Sequence, residues 1–426
     1  MITVKFGGTS LADASRFRHA AQIIRADPRR RYVVVSAPGK RFGEDIKITD
    51  LLLRYQQSRD PADFAPIQER FTGILRELGL GLDLTPDFEQ MKQKPHSVDY
   101  MASRGEYLSA RIMAACLGWP FVDTEDCVCF REDGQLDARQ TESAIFEKLK
   151  SLPNAVLPGF YGALPNGEIH TFSRGGSDVT GALVARAMEC RVYENWTDVD
   201  GMLATDPRIV PQAASIGAIT YAELRELAYQ GASVLHEDAV LPLRDVGIPI
   251  HICNTFHPEG NGSWIRSETG APERPITGIA GRQGYSTIQI ERQNTNSMVG
   301  YVRRILSCLE RHGIPFEHLA TGLGSVCLVV PSAAMDHCRD QLEREIRQAV
   351  QPDSILIRPG LAMIAVVGRG MVDRPGVSAK LFGALGDAGI SVRVIDQGSG
   401  EMNIVVGVSE AEYEAAVRAI YRRFFE

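Results

Sequence analysis

Short apolar runs alternate with amphipathic stretches over the first 265 residues of the chain. The apolar runs predict buried strands, and the stretches with apolar residues at helical spacing predict helices. The predicted strands are residues 2–6, 32–36, 154–160, 191–196 and 248–252. The predicted helices are residues 13–26, 99–117, 179–189, 220–230 and 236–245. Such alternation predicts an α/β domain with a mainly parallel open sheet, covered by helices, and ligands at the carboxyl ends of its strands.

A β-α-β-β-α pattern occurs twice after a stretch at 255–265 that is rich in Gly, Pro, Asn and Ser. The first copy has segments 287–291, 299–312, 314–320, 325–331 and 332–350, and the second has 361–368, 376–388, 391–396, 402–408 and 410–422. A strand at 354–359 completes the first copy's sheet or joins the two copies. The predicted domains are therefore 1–265, 280–350 and 354–426, with two unrelated α+β tails as the alternative to a repeat.

Length, charge and cysteine usage narrow the class of protein. A chain of 426 residues is expected to form two or three domains, and its net charge of −7 gives no basic excess for nucleic acid. We find no apolar run long enough to span a membrane. The eight cysteines match neither a zinc spacing nor a disulfide framework. These features predict a cytoplasmic protein with reduced thiols.

The first predicted strand ends in a lysine and a phenylalanine, and two adjacent glycines follow it before the first helix begins. Lys5 stands at the strand end, Gly7 and Gly8 form the turn, and Ser10 with Asp13 has the spacing of a helix capping box. Backbone amides without side chains near a helix start attract anions. A tight turn beside a lysine that extends to solvent is the alternative interpretation.

A second pair of glycines precedes the helix predicted at 179–189. Arg174 lies before Gly175 and Gly176, and Ser177 and Asp178 follow them. A guanidinium offers paired donors that suit a carboxylate or a phosphate. Asp178 has three possible roles: a helix cap, a metal ligand, or a group that orients a lysine.

Other strand ends and one helix carry further polar candidates. Thr197 and Asp198 end a predicted strand, and Ser103 and Glu106 share one face of a predicted helix. The stretch at 36–52 lacks the Walker spacing, which argues against a P-loop. The three glycine-rich turns lack G-x-G-x-x-G, which argues against a Rossmann site. Glycine-rich strand ends with nearby cations therefore suggest a polyphosphate bound without a P-loop.

Four motifs together resemble aspartate kinases, a family of the amino-acid kinase superfamily with two C-terminal ferredoxin-like ACT modules. The motifs are Lys5-Phe6-Gly7-Gly8-Thr9-Ser10, Ser103-x-Gly105-Glu106, Arg174-Gly175-Gly176-Ser177-Asp178 and Trp196-Thr197-Asp198-Val199-x-Gly201. The resemblance covers nearly the whole chain. It implies transfer of the γ-phosphoryl group of Mg-ATP to the β-carboxylate of L-aspartate, the first step towards lysine, threonine, methionine and diaminopimelate.

The resemblance also implies roles for the matching residues. Lys5 would stabilise charge on the transferring phosphoryl group, and Asp178 would organise that site. Contacts to phosphate or nucleotide are implied for Gly7, Gly8, Thr197, Asp198, Leu203, Arg208 and Ser233. Contacts to aspartate are implied for Thr49, Glu106, Arg174, Gly175, Gly176 and Ser177, with Glu106 facing the ammonium group and Arg174 the α-carboxylate. No metal site of the protein's own is implied, because the nucleotide would hold most of the Mg²⁺ coordination.

Two positions depart from the family's pattern. Ser233 stands where many relatives have a lysine that contacts the nucleotide, and Leu203 stands where many have an aromatic residue near the adenine. A missing cation would weaken ATP binding unless another group replaces it. Lys40, Arg41 and Lys47, in the loop at 36–52, are the candidates for that replacement.

The ACT modules imply an amino-acid effector, with lysine and threonine as candidates, and a homodimer or a higher oligomer. In the first module the loop before the helix offers Asn296, Ser297 and Met298 as effector contacts. Two alternative functions stay open. One is a related kinase that acts on another small carboxylate, and the other is an amino-acid sensor with an impaired kinase domain.

Overall fold

The chain folds into two compact units. The structure, a computed structural model, describes residues 1–426 apart from 94–95, 174, 233–234, 236, 273, 294–297, 399, 401 and the side chain of 237. The first unit comprises Met1–Met202, Ser215–Arg225 and Ser233–Gly270, and the second comprises Leu203–Ala214, Glu226–Ala232 and Ala271–Glu426.

Residues 1–270 contain both strands and helices, and every strand and helix that the apolar pattern predicts there is present, among others that it does not predict. These elements are β1 Ile2–Phe6, α1 Ala14–Ala26, β2 Arg30–Val35, α2 Ile48–Ser58, α3 Pro61–Leu78, α4 Thr85–Gln93, α5 Val98–Leu117, α6 Ala138–Leu149, β3 Ala155–Pro158, β4 Tyr161–Ala163, β5 Ile169–Thr171, α7 Gly176–Ala187, β6 Val192–Thr197, β7 Met202–Leu203, β8 Ser215–Ile216, β9 Ala218–Thr220, α8 Tyr221–Tyr229, α9 Glu237–Arg244, β10 Ile250–Asn254 and β11 Ser263–Arg266. No helix in the described part of the chain is long and apolar enough to cross a membrane.

The main sheet of the first unit has the strand order β3-β2-β1-β6-β10-β11-β9 within the described residues. The five strands from β3 to β10 are parallel, and β11 runs antiparallel to β10. All five residues of β1 are buried, because helices cover both faces of a central parallel strand. The mainly parallel α/β fold predicted from the sequence is confirmed.

One local prediction in this unit was wrong, and one helix was not predicted. Ser10 does not cap a helix: its hydroxyl lies 2.7 Å from that of Thr255, and Gly8–Leu11 forms a 3₁₀ turn. Asp13 is the N-cap of α1 instead, and its carboxylate accepts the N–H of Arg16. The helix that was not predicted is α2, which begins at Ile48 within the stretch at 36–52 and has Thr49 in its first turn.

The second unit contains one antiparallel sheet with helices packed against it. Its elements in residues 271–426 are β12 Gly278–Glu291, α10 Tyr301–Arg311, β13 His318–Thr321, β14 Ser325–Pro331, α11 Ser332–Met335, α12 Arg339–Val350, β15 Ser354–Val367, α13 Val377–Asp387, β16 Val394–Asp396, β17 Asn403–Ser409 and α14 Tyr413–Phe425. The strand order is β13-β14-β12-β15-β17-β16 in the described part. The two predicted repeats are therefore halves of one sheet.

Strands β12 and β15 run through both halves of that sheet. Residues 354–359 pair with 286–291 in the first half, and residues 363–367 pair with 278–282 in the second. The segments predicted as separate strands at 354–359 and 361–368 are thus one strand. The register shifts beside Tyr285, where the partner strand carries Pro359 and Gly360, and such an irregularity lets a strand continue past a proline.

Candidate active site

The carboxyl ends of four parallel strands are joined by backbone hydrogen bonds at one edge of the main sheet. The N–H of Gly7, after β1, donates to the carbonyl of Trp196 on β6 at 3.0 Å. The N–H of Gly159, after β3, donates to the carbonyl of Val35 at 3.0 Å. The N–H of Gly39, after β2, donates to the carbonyl of Gly8 at 2.8 Å. This edge is where ligands bind in open α/β sheets.

Lys5 and Asp178 form an ion pair at this edge, with 2.5 Å between Nζ and Oδ1. Their side chains are only 10% and 17% exposed, so water screens the pair little. Asp178 lies in the first turn of α7 but caps nothing, because the N-cap of that helix is Gly175. A Cβ placed on Gly7 would lie 3.6 Å from the Lys5 ammonium, so the first glycine turn and the pair are neighbours. Of the three roles considered for Asp178, the geometry fits that of orienting a lysine.

The start of α7 packs tightly against the loop that follows β3. Gly175 has a φ of 60°, a left-handed conformation that glycine adopts without strain. A Cβ on Gly176 would come within 2.7 Å of the Phe160 ring, and a Cβ on Gly159 would come within 2.6 Å of the Ser177 side chain. The glycines therefore allow a close approach that brings Ser177 to the strand-end edge.

Glu106 has a buried carboxylate that lacks a complete set of partners. It lies on α5 and is only 6% exposed, and its Oε2 has no hydrogen bond within the described residues. Burial raises the pKa of Glu106 to about 8, although the N–H of Ala37 donates to it. Gly105 makes this contact possible, since a Cβ there would lie 2.6 Å from that of Ala37. A buried carboxylate with an unused oxygen is suited to bind a cation.

An ion-pair cluster holds the loop between β2 and α2. Arg70 donates to Asp45 at 2.8 Å, with both side chains at least nine-tenths buried, and to the carbonyl of Gly39 at 3.3 Å. Arg41 binds the same carboxylate from the solvent side and is 43% exposed. Arginine neighbours hold the pKa of Asp45 well below its usual range. Because Gly39 also contacts Gly8, this cluster supports the first glycine turn.

The predicted nucleotide residues fall in both units. In the first unit Thr197 ends β6, and its hydroxyl donates to Asp198 at 3.2 Å. In the second unit Leu203 is half-buried, and Arg208 is exposed and binds Asp206 at 2.6 Å. Arg174, Ser233, Asn296 and Ser297 lie outside the described residues.

Two of the three cations that could replace the lysine missing at position 233 bind groups in their own loop. Lys40 donates to the carbonyl of Gly43 at 3.2 Å, and Arg41 is bound to Asp45. Lys47 is exposed at the N-cap of α2. Compensation by these cations stays a prediction.

Asn195 and Phe160 are site residues that the sequence analysis missed. Asn195 Nδ2 donates to Asp178 Oδ1 at 2.8 Å, and Phe160 has a φ of 80°, which is rare for a residue with a side chain. The polar interruption in the apolar strand at 191–196 could have indicated Asn195. Nothing in the local sequence indicates the backbone conformation of Phe160.

Near Met298 the second unit has a cavity of about 270 Å³. Residues of α10 and of the β13–β14 turn line it, among them Gly300, Tyr301 and Thr321. The Tyr301 hydroxyl is buried and has no hydrogen-bond partner among the residues that the structure describes. A polar cavity at the start of a helix could take a small polar molecule.

Residues 1–254 match the amino acid kinase family, and residues 364–424 match an ACT domain. The chain is 34% identical to aspartokinase 3 of Bacillus subtilis, over 100% of this chain and 99% of that protein. It is 30% identical to the chloroplastic bifunctional aspartokinase/homoserine dehydrogenase 2 of Arabidopsis thaliana, spanning 99% of this chain but 50% of that protein.

Three of the similar solved structures cover the whole chain and are fully covered by it. One is the aspartate kinase of Clostridium acetobutylicum, with 43% identity and a TM-score of 0.94. Another is Escherichia coli aspartokinase III in complex with aspartate and ADP, with 25% identity and a TM-score of 0.76. The same E. coli enzyme, in complex with lysine and aspartate, gives a TM-score of 0.74 at 25% identity.

Proposed function

Because this chain belongs to the aspartokinases, ATP-dependent enzymes of the amino acid kinase family, we propose that it phosphorylates the β-carboxylate of L-aspartate. The products are ADP and 4-phospho-L-aspartate. One observation carries the proposal: the Lys5–Asp178 pair lies beside the first glycine turn, at the edge of the sheet where ligands bind. The complex of the E. coli enzyme with aspartate and ADP supports the choice of substrates.

Lys5 and the glycine turn act on the phosphoryl group. The attacking carboxylate of aspartate is already ionised at neutral pH, so no general base is needed. Phosphoryl transfer depends on positioning and on neutralising charge, which the Lys5 ammonium supplies. The N–H of Gly7 is already used by Trp196, which leaves Gly7 a steric role. Gly8 begins the 3₁₀ turn, where an N–H has no partner within the turn and can meet a phosphate oxygen.

Mg²⁺ is expected on the nucleotide's phosphates. No three His, Cys, Asp or Glu side chains converge on a metal position within the described residues, and Asp178 supplies an oxygen of the kind that Mg²⁺ prefers. When bound, Mg²⁺ would neutralise phosphate charge. Thr197 and Asp198 are proposed to contact ATP from the end of β6, with Leu203, Arg208 and Ser233 as further contacts.

Glu106 is proposed to bind the ammonium group of aspartate. Its unused buried oxygen is the group that such a cation would complete, and the ammonium would return its pKa towards the ordinary range. Thr49 and Ser177 would bind the substrate beside it, together with the backbone of Gly175 and Gly176. Arg174 would bind the α-carboxylate.

We propose two ACT modules, at residues 280–350 and 354–426, that bind an amino-acid effector. The cavity at Met298 lies in the first of them and supports an effector site there, with Asn296 and Ser297 as its neighbours in sequence. The complex of the E. coli enzyme with lysine makes lysine one candidate, and threonine is the other. Feedback control of this kind suits an enzyme of lysine, threonine, methionine and diaminopimelate synthesis that forms a homodimer or a higher oligomer through these modules.

The deciding experiment is hydroxylamine trapping of the acyl phosphate with Mg-ATP. L-aspartate is compared with L-glutamate and acetylglutamate, and lysine and threonine are added separately and together. Trapping with aspartate alone would establish the kinase, and inhibition would identify the effector. Trapping with another acid instead would favour a related kinase, and no trapping by a folded protein that binds an amino acid would favour a sensor.

A further inference from the structure

Two polar residues interrupt an otherwise aliphatic row across the five parallel strands of the main sheet. The row follows the strand register from β3 to β10 and consists of Leu157, Val34, Lys5, Asn195 and Ile252. Partners in register share one face of a sheet. The three aliphatic members are fully buried, and Asn195 is only 4% exposed. An aliphatic side chain at position 195 would therefore suit the row better than an amide.

Asn195 and Lys5 bind the same oxygen atom. Nδ2 of Asn195 lies 2.8 Å from Oδ1 of Asp178, and Nζ of Lys5 lies 2.5 Å from it. Oδ1 of Asn195 is buried and has no partner within the described part of the chain. Burying an amide with half of its hydrogen bonds unmade costs stability. A contribution to the stability of the fold therefore does not explain why position 195 is an asparagine.

We propose that Asn195 is a positioning residue for phosphoryl transfer, an inference that rests on the proposed aspartate kinase activity. Rotation of a carboxylate about its last side-chain torsion is soft, so one bond from Lys5 leaves Asp178 free to turn. The amide supplies a second bond from a rigid strand and fixes the carboxylate. Asp178 in turn holds the Lys5 ammonium beside Gly7, where the phosphoryl group is expected. A neutral donor does this without adding charge next to the lysine.

The test compares Asn195→Leu with the wild-type enzyme in the hydroxylamine assay. We expect kcat to fall by about 10- to 100-fold, the scale of a small misplacement of a reacting group. The KM values for aspartate and ATP should change less than twofold, because the proposed role of Asn195 is exerted through Asp178. The melting temperature should stay equal or rise, since leucine completes the aliphatic row. A purely structural asparagine would give the reverse: lower stability with kcat retained.

Tyr193→Phe is the matched control on the same strand. Its hydroxyl donates to the backbone carbonyl of Asp178 at 3.3 Å and not to the carboxylate, so kcat should be retained. If Asn195→Leu does not fold, Asn195→Ala gives the same comparison with a smaller side chain. A kcat within twofold of wild type in a folded Asn195 variant overturns the proposal. Failure of the wild-type enzyme to phosphorylate aspartate instead overturns the proposed function, so the two failures are distinct.

Discussion

Lys5 on β1 and Asp178 on α7 are 173 positions apart in sequence and 2.5 Å apart in space, and each carries the charge that the other lacks. A lysine at the end of a strand is held in place by a carboxylate at the start of a helix. The pair therefore connects the two glycine-containing turns of the site.

Replacing Lys5 by methionine should remove activity without removing substrate binding. We expect kcat to fall by about 100- to 1000-fold, as when one charge-stabilising donor is lost, with the KM for aspartate nearly unchanged. Lys92→Met is the control, because Lys92 is a partly exposed lysine paired with Glu89. Equal rates for the two variants would contradict the role of Lys5. The double variant Lys5→Met/Asp178→Leu should regain stability but not activity, because it leaves no unpaired charge.

The stability of the ligand-free enzyme should fall as the pH rises towards 8. The pKa of Glu106 is raised to about 8 by burial, so between its ordinary value and about 8 the folded state binds more protons than the unfolded state. Stability is then full at low pH and is lost as the pH rises, by roughly a few kcal/mol in total. Denaturant unfolding of wild type and Glu106→Gln between pH 5 and 8.5 measures this slope.

The Glu106→Gln variant should lose that part of the slope, and Glu77→Gln, at an exposed helical position, should keep it. Aspartate binding by the wild type should also release a proton below pH 8, because its ammonium stabilises the ionised carboxylate. Calorimetry in buffers of different ionisation enthalpy detects the proton. An identical slope in both variants would show that Glu106 is not the titrating group.

The two glycines of the first turn should respond differently to alanine. A Cβ on Gly8 would lie 2.8 Å from the carbonyl oxygen of Ala37, so Gly8→Ala must displace the neighbouring loop and should cost about 1–3 kcal/mol of stability. A Cβ on Gly7 meets nothing closer than 3.6 Å, so Gly7→Ala should fold normally. Its methyl group faces the Lys5 ammonium and should raise the KM for ATP. Thermal unfolding and ATP titration of both variants separate these effects.

The two arginines that bind Asp45 should differ in their contribution to stability. Arg70 is 5% exposed, and Arg70→Met leaves a buried carboxylate short of charge, which should cost about 3 kcal/mol. Arg41 is 43% exposed, so Arg41→Met should cost less than about 1 kcal/mol. Urea unfolding measures both. Similar losses for the two would mean that burial does not decide the strength of this cluster.

Helix α14 should control the segment that carries Arg208. The Tyr421 hydroxyl accepts the N–H of Ala214 at 2.8 Å, and Arg418 donates to the carbonyl of Ile209 at 3.1 Å. Tyr421→Phe should therefore speed amide hydrogen exchange at Ala214 and raise the KM for ATP. Tyr413→Phe is the control, since its hydroxyl donates to Gly281 on β12 instead. Equal exchange at Ala214 in both variants would contradict this role of Tyr421.

Periodicity was enough to predict the elements whose partners are near in sequence or whose residues are uniformly apolar. Strand β1 was predicted with its observed bounds because all its residues are buried. Helix α2 was missed although Ile48, Leu51, Leu52 and Tyr55 have helical spacing and are buried. The preceding glycine and charged residues dominated the interpretation of that stretch.

Contacts between residues that are far apart along the chain could not be predicted from the sequence. Ser10 pairs with Thr255 across 245 positions, so its spacing to Asp13 suggested a cap that the structure does not have. Asn195 lies beside Lys5 because β6 pairs with β1, and both side chains bind Asp178. The glycine turns could be predicted from the sequence, because a tight turn requires glycine whatever surrounds it. The residues that these turns contact could not, because they depend on the order of strands in the sheet.

The shared strands β12 and β15 limit how the second unit of this protein can change. Strands β12 and β15 each form part of the sheet in both repeats. A gene fusion, deletion or module exchange that breaks between residues 350 and 361 would therefore leave both halves with an open edge. The unit that can be inherited, transplanted or cloned is the pair of repeats.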